Sequence, residues 1–186
     1  MQRRFFNRAR TVRENHPSVI RFTEQASLFR YQSSDRLGVV SAMTISSIKE
    51  LIDGRDLVAV APQDSIQTAC DVLARENIGA LAVVVEGRLA GILSERDIIR
   101  RCYAKGLSGN DMQVAELMTP TPKTVGPEGS LAEALQAMME GGFRYVPVTD
   151  GSGRAVGMVS MRDIPTSYRM MVERFRDHGG VGMAAH

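Results

Sequence analysis

Gly91-Ile-Leu-Ser94-Glu-Arg96-Asp97-Ile98 is answered 66 residues later by Gly157-Met-Val-Ser160-Met-Arg162-Asp163-Ile164. The likeness extends upstream. Val60/Val125, Pro62/Pro127, Ser65/Ser130 and Ala69/Ala134 each lie 65 apart. The offset changes by one between Glu86-Gly87-Arg88 and Asp150-Gly151-Ser152-Gly153. Insertions belong in turns, so the change of register supports an internal repeat.

Each copy reads as the same run of elements. A short strand, Leu57–Val60 or Thr124–Val125, ends near a proline. A helix follows. Its apolar stripe is Ile66, Ala69/Cys70 and Leu73 in the first copy, and Leu131, Leu135 and Met138 in the second. Ser130-x-x-Glu133 is a capping box, and Asn77 and Gly79 stop the first helix. The strand Ala80–Val85, or Tyr145–Val148, then forms a hairpin with Leu89–Leu93, or Ala155–Val159. A second helix begins at Ser94 or Ser160. The fold class is therefore α/β (α+β): two tandem β-α-β-β-α units packed sheet to sheet. One unit of about 50 residues would be marginal alone, and two share a core. Pro165 removes an N–H that a helix starting at Ser160 would use, so that helix is expected to kink and restart near Thr166.

The flanks divide the chain. Residues 1–43 are expected to form a loosely ordered basic arm. The first repeat with a leading helix takes 44–106, the second with its linker 107–170, and a C-terminal helix and tail 171–186. That last helix shows Tyr168, Met171/Val172 and Phe175 on one face. Val114–Met118 is the counterpart of the leading helix.

Composition narrows the function. The chain has 186 residues, 44% hydrophobic and 24% charged, near globular averages. Its net charge of +2 hides an asymmetry. Residues 1–45 hold eight Arg against three acids, and the remainder is mildly acidic. No apolar run is long enough to span a membrane. Cys70 and Cys102 cannot make a disulfide framework, and Cys70 sits on the apolar helix stripe. His16, His178 and His186 are scattered, which argues against a histidine metal site or a Ser/His/Asp triad. No nucleophile–base pair can be assembled, so catalytic residues, a metal and an enzymatic activity are not expected. A cytoplasmic location is expected. The Arg-rich, acid-poor start also suits a mitochondrial transit peptide in a eukaryotic source.

The repeated turn has two readings. Ser-x-x-Asp is a capping box in its own right. The same turn also places a strand end, a helix N-terminus, an arginine fork and a carboxylate together, which suits a phosphorylated sugar. Its occurrence twice brings the second reading level with the first. Arg144, where the first copy has Gly79, could add phosphate charge.

With these residues in view, the two units resemble CBS domains, and the pair resembles a Bateman module. Both copies fit that family's pattern of Gly, two apolar residues, Ser/Thr, two variable residues and Asp. Met118-Thr119-Pro120 resembles the segment that often opens a repeat. The resemblance covers roughly residues 44–170. It implies a regulatory sensor of adenosine-containing ligands: AMP, ADP, ATP, S-adenosylmethionine or NAD(H). Carried over, Asp97 and Asp163 hold ribose. Ser94, Arg96, Ser160 and Arg162, with Arg144, serve phosphate or sugar. Adenine slots are implied at Val60, Ala61, Leu81, Ala82 and Ile92, and at Val125, Gly126, Val146, Pro147 and Met158. No catalytic domain is expected beside the two repeats, so an unidentified partner in trans is expected to receive the signal. The alternative is an interaction module for a redox partner such as a thioredoxin, with a vestigial nucleotide site. Nucleic-acid binding by the arm ranks last, because no helix-turn-helix pattern accompanies it. The apolar stripes of outer helices predict a homodimer.

Overall fold

The computed structural model describes residues 20–22, 47–170 and 174. Strand β1 (Ile20–Phe22) is followed by α1 (Ile48–Ile52), β2 (Leu57–Val60), α2 (Ile66–Glu76), β3 (Ala80–Val85), β4 (Arg88–Ser94) and α3 (Glu95–Arg101). After a short 3₁₀ turn come α4 (Val114–Leu117), β5 (Thr119–Pro120), α5 (Leu131–Gly141), β6 (Tyr145–Thr149) and β7 (Ala155–Ser160). The chain is thus a mixed α/β protein made of two repeats.

Local chemistry sets the helix ends. Ser65 caps α2 by accepting from Thr68 N. Asn77 ends it in the left-handed region at φ 52°, which Asn tolerates better than most residues. Ser130 and Glu133 form the expected box on α5, and Gly142 ends it at φ 65°. The β3–β4 hairpin turns through Glu86 and Gly87, both at positive φ, as a two-residue turn matched to strand twist requires. The β6–β7 turn carries its extra residue on Asp150, whose Oδ1 accepts from Ser152 N, Ser152 Oγ and Arg154 N.

The first sheet runs β1-β2-β3-β4-β5; β2 and β3 are parallel and the other pairs antiparallel. Ile20–Phe22 of the basic arm pairs with β2, and the rest of the arm lies outside the described residues. The second sheet is the β6–β7 hairpin. The strand expected at 124–125 is reduced to one parallel bridge, Val125 with Val148. Pro122, Gly126 and Pro127 flank it too closely for a longer ladder. Beyond β7, residues 161–164 form a turn and bend, and helix resumes at 166–170 after Pro165. Of the C-terminal helix face, Tyr168 packs against the second core. Met171, Val172 and Phe175 lie outside the described residues.

Packing divides into three clusters. One is built on α2, β3 and α3 of the first repeat and a second on α5, β6 and β7 of the second. A third, of Leu57, Ala59, Ala82, Val84 and Ala155, joins the two sheets. The period of two is explicit: Val60, Leu81 and Val83 enter the first cluster, while Ala59, Ala82 and Val84 enter the third. Near the hairpin tips the repeats also share backbone bonds, Leu89 N to Gly153 O (3.2 Å) and Ala155 N to Gly87 O (3.0 Å).

The leading helices are exchanged. Ile48 and Leu51 of α1 belong to the second repeat's core, and Val114 and Leu117 of α4 to the first's. Ile48 N donates to Gly129 O (3.0 Å) and Lys49 N to Pro127 O (2.8 Å). In the same way, Val114 N donates to Asp64 O (2.8 Å) and Ala115 N to Pro62 O (2.9 Å). The domain limits at 44 and 107 therefore follow the chain, whereas each packed unit borrows its helix from the other. Burying Ile48 fully contributes about 2–3 kcal/mol to the repeat it does not precede.

Candidate functional site

The motif glycines make the exchange fit. A Cβ on Gly91 would lie 2.7 Å from Met118 Sδ and 2.9 Å from the Thr119 carbonyl oxygen. A Cβ on Gly157 would lie 2.8 Å from Ile52 Cδ1. Each glycine thus admits the end of the other repeat's leading helix.

Beyond each glycine, the serine and aspartate form the same clamp. Ser94 N and Oγ both donate to Asp97 Oδ2, at 3.2 and 2.6 Å. Ser160 N and Oγ donate to Asp163 Oδ2 at 2.7 and 2.6 Å. In α3 this is a complete capping box, with Asp97 N donating back to Ser94 Oγ (3.3 Å). At Asp163 the amide instead closes a turn onto Ser160 O (3.0 Å). Pro165 therefore displaces the helix but leaves the clamp intact. Each serine hydroxyl gives its proton to a carboxylate, so toward a ligand it offers a lone pair only.

The second carboxylate oxygens differ. Asp97 Oδ1 faces Arg101 Nη2 at 3.3 Å and accepts no hydrogen bond among the described residues. Arg101 also donates through Nη1 to Leu117 O (3.0 Å) at the end of α4. Asp163 Oδ1 instead accepts from Arg55 Nη1 at 2.6 Å. Burial alone would raise the Asp163 carboxyl; hydrogen bonds from Ser160 and Arg55 outweigh it and hold the group below the ordinary carboxylate range.

A cavity of about 390 Å³ opens beside Asp97, where the β4–α3 turn, residues 119–123 and the end of α5 meet. Its volume falls in the range of small-ligand sites. Arg96, Arg101, Lys123 and Arg144 line it against Glu95 and Asp97, and Ile92, Phe143 and Tyr145 supply apolar surface. Both repeats contribute. Arg96 Nη1 reaches the Gly142 carbonyl across the boundary (3.5 Å). Gly79 leaves room for Tyr145 Oη, with which a Cβ would collide.

Of the residues singled out in the sequence, Ser94, Arg96, Asp97, Ile92 and Arg144 line this cavity. Ser160 and Asp163 are half-buried, and Arg162 is exposed, at the turn after β7. Most of the expected slot walls lie away from this cavity. Val60, Leu81 and Val146 are fully buried in the repeat cores, and Ala82 in the inter-sheet cluster. Pro147 is buried; Ala61, Val125 and Met158 are half-buried and Gly126 exposed, and none of them lines the cavity. Arg101, Lys123, Phe143 and Tyr145 were not singled out, because they lie outside the repeated motif. Among the described residues no cluster of His, Cys, Asp or Glu could hold a metal, and no helix is long and apolar enough to cross a membrane.

The comparisons agree with this architecture. The chain is 33% identical over 120 residues to the CBS domain-containing protein YhcV of Bacillus subtilis, covering 64% of this chain and 84% of that one. It is 37% identical over 106 residues to the mitochondrial CBS domain-containing protein CBSX3 of Arabidopsis thaliana, covering 54% of this chain. The match spans about half, 51%, of that relative's length. Among solved structures, the CBS domain protein PAE2072 of Pyrobaculum aerophilum, complexed with AMP, superposes with a TM-score of 0.61 at 25% identity. That match covers 68% of this chain and 96% of the other. The CBS-domain family model matches residues 48–104 and 114–165, more than half of the chain, and the protein therefore belongs to the CBS-domain family as a two-repeat member.

Proposed function

We propose that this protein is a non-catalytic regulatory module that binds an adenosine-containing ligand, AMP, ADP or ATP foremost, and signals to a partner protein in trans. One observation carries the reading. Asp97, whose Oδ1 is held only by the 3.3 Å ion pair with Arg101, lines a cavity together with four cationic side chains. A carboxylate oxygen accepts from ribose hydroxyls, and the cations suit phosphate. Ile92, Phe143 and Tyr145 offer the base an apolar surface. The excess of cations disfavours S-adenosylmethionine, whose sulfonium is positive. PAE2072, solved with AMP, supports the ligand class by likeness. We place the protein in the cytoplasm, in keeping with two free cysteines.

Thermal unfolding with AMP, ATP or NADH tests the reading. At about 100 times Kd, a ligand stabilises the native state by roughly 2.7 kcal/mol, or about 5–10 °C in Tm at this size. Unchanged melting with every adenosine compound would favour the interaction module instead. We also propose a C2 homodimer, supported by Ile99 and Tyr103, which are 60% and 50% exposed on and just after α3. Light scattering at micromolar concentration should give about twice the 20.4 kDa chain mass. A monomer there would rule the dimer out.

A further inference from the structure

Asp97 and Asp163 occupy equivalent places and are clamped alike by serine, yet their second oxygens are held differently: Asp163 Oδ1 accepts a charge-assisted hydrogen bond, whereas Asp97 Oδ1 meets an arginine only at 3.3 Å. The difference comes from outside the motif. Arg55 lies just past α1, whose backbone is fixed to the second repeat through Pro127 and Gly129. Gly54 turns the chain at φ 69°, and Arg55 N closes onto Ile52 O (3.0 Å). The guanidinium then meets Asp163 Oδ1 at 2.6 Å. With Oδ2 taken by Ser160 N and Oγ, both oxygens of Asp163 are engaged. At the same 66-residue offset, the partner position for Asp97 is Thr121, which is short and uncharged. Arg101 pairs with Asp97 at a longer distance. That side chain comes from Asp97's own helix, stands 3.3 Å away and donates to Leu117 O.

We propose that Arg55 is the specificity-determining residue that makes the two repeats unequal: it holds Asp163 as a closed acceptor, so that the chain binds one equivalent of adenosine ligand, at Asp97. The inference rests on the adenosine reading of the site. For ribose to use Asp163, its hydroxyls must displace a charge-assisted hydrogen bond, which is stronger than the neutral bonds they would form in exchange. At Asp97 only the longer 3.3 Å ion pair with Arg101 has to give way. Arg55 is about half exposed, so replacing it removes a competitor without opening a core.

Equilibrium dialysis of the full chain against labelled AMP tests this. The wild type should take one equivalent, and Arg55→Gln two, with the second site tightened at least tenfold. Arg55→Lys, which keeps the charge, should stay at one. Arg55→Gln/Asp163→Asn should return to one, and Arg55→Gln/Asp97→Asn should keep only the new site. Two equal sites in the wild type, or one equivalent still in Arg55→Gln, would overturn the role of Arg55 while leaving the adenosine reading in place. No binding by the wild type with one equivalent in Arg55→Gln would uphold Arg55 and remove Asp97 as the site. Absence of AMP binding in every variant would overturn both.

Discussion

Arg55 Nη1 lies 2.6 Å from Asp163 Oδ1, an ion pair between residues 108 apart in sequence that ties the segment after α1 to the turn after β7. It reinforces the helix exchange, because α1 already packs on the second repeat. It also makes stability depend on pH. The folded state binds a proton at Asp163 less readily than the unfolded chain does. The contribution is therefore fully present above the unfolded carboxylate value near pH 4 and is lost as pH falls through the lower folded value. Urea unfolding should find Asp163→Asn less stable than wild type at pH 7, by about 1–2 kcal/mol, since Arg55 is half exposed. The gap should narrow as pH falls below about 4. A gap that stays constant down to pH 2 would show that the carboxylate's charge contributes nothing.

Asp97 caps α3 with one oxygen and is proposed to meet ribose with the other, and a single substitution separates the two roles. Oδ2 closes the capping box, and Oδ1 is held only by the 3.3 Å ion pair with Arg101 in a residue that lines the cavity. Asp97→Asn keeps the shape and part of the cap. Stability without ligand should fall by about 1 kcal/mol or less, the scale of a cap change. AMP affinity should fall by roughly 1.5–3 kcal/mol, the worth of hydrogen bonds to a charged acceptor, or about tenfold to hundredfold. If the apo protein loses stability while affinity holds, Asp97 is a cap and nothing more.

Much of this was legible in the sequence, for identifiable reasons. Ser65, Ser130, Ser94 and their helical stripes declare helix starts by short-range chemistry. The inserted residue at Asp150–Gly153 declared a turn. Pro165 announced the break and the restart at 166–170, because a missing N–H acts locally. The exchange of α1 and α4 was not legible. Helices of five and four residues show an apolar face but carry no mark of which core receives it. The placement of the expected slot walls was hidden for a related reason. The run Ala80–Val85 signals burial on both faces, and the sequence does not say that Ala82 meets the other sheet while Leu81 meets α2 and α3. Arg55 gave only a faint signal: a charged residue standing 66 places before Thr121 in an otherwise matching frame.

The glycines of the two motifs give a test of the exchange itself, because their neighbours differ in kind. At Gly157 the nearest atoms are the Ile52 side chain, Cδ1 at 2.8 Å and Cγ2 at 3.0 Å. At Gly91 they include the Thr119 backbone oxygen at 2.9 Å beside Met118 Sδ at 2.7 Å. A side chain can be trimmed, and a carbonyl cannot. Gly157→Ala and Gly91→Ala should each destabilise by about 1–3 kcal/mol, as overpacking does. In a double-mutant cycle, Ile52→Ala should relieve Gly157→Ala, with a coupling of about 1 kcal/mol or more. Met118→Ala should relieve Gly91→Ala much less, since the carbonyl still stands in the way of the new methyl. Chemical denaturation of the six variants decides the matter. Zero coupling between Ile52 and Gly157 would mean that α1 does not sit against the second repeat, and the exchange of leading helices would fall with it.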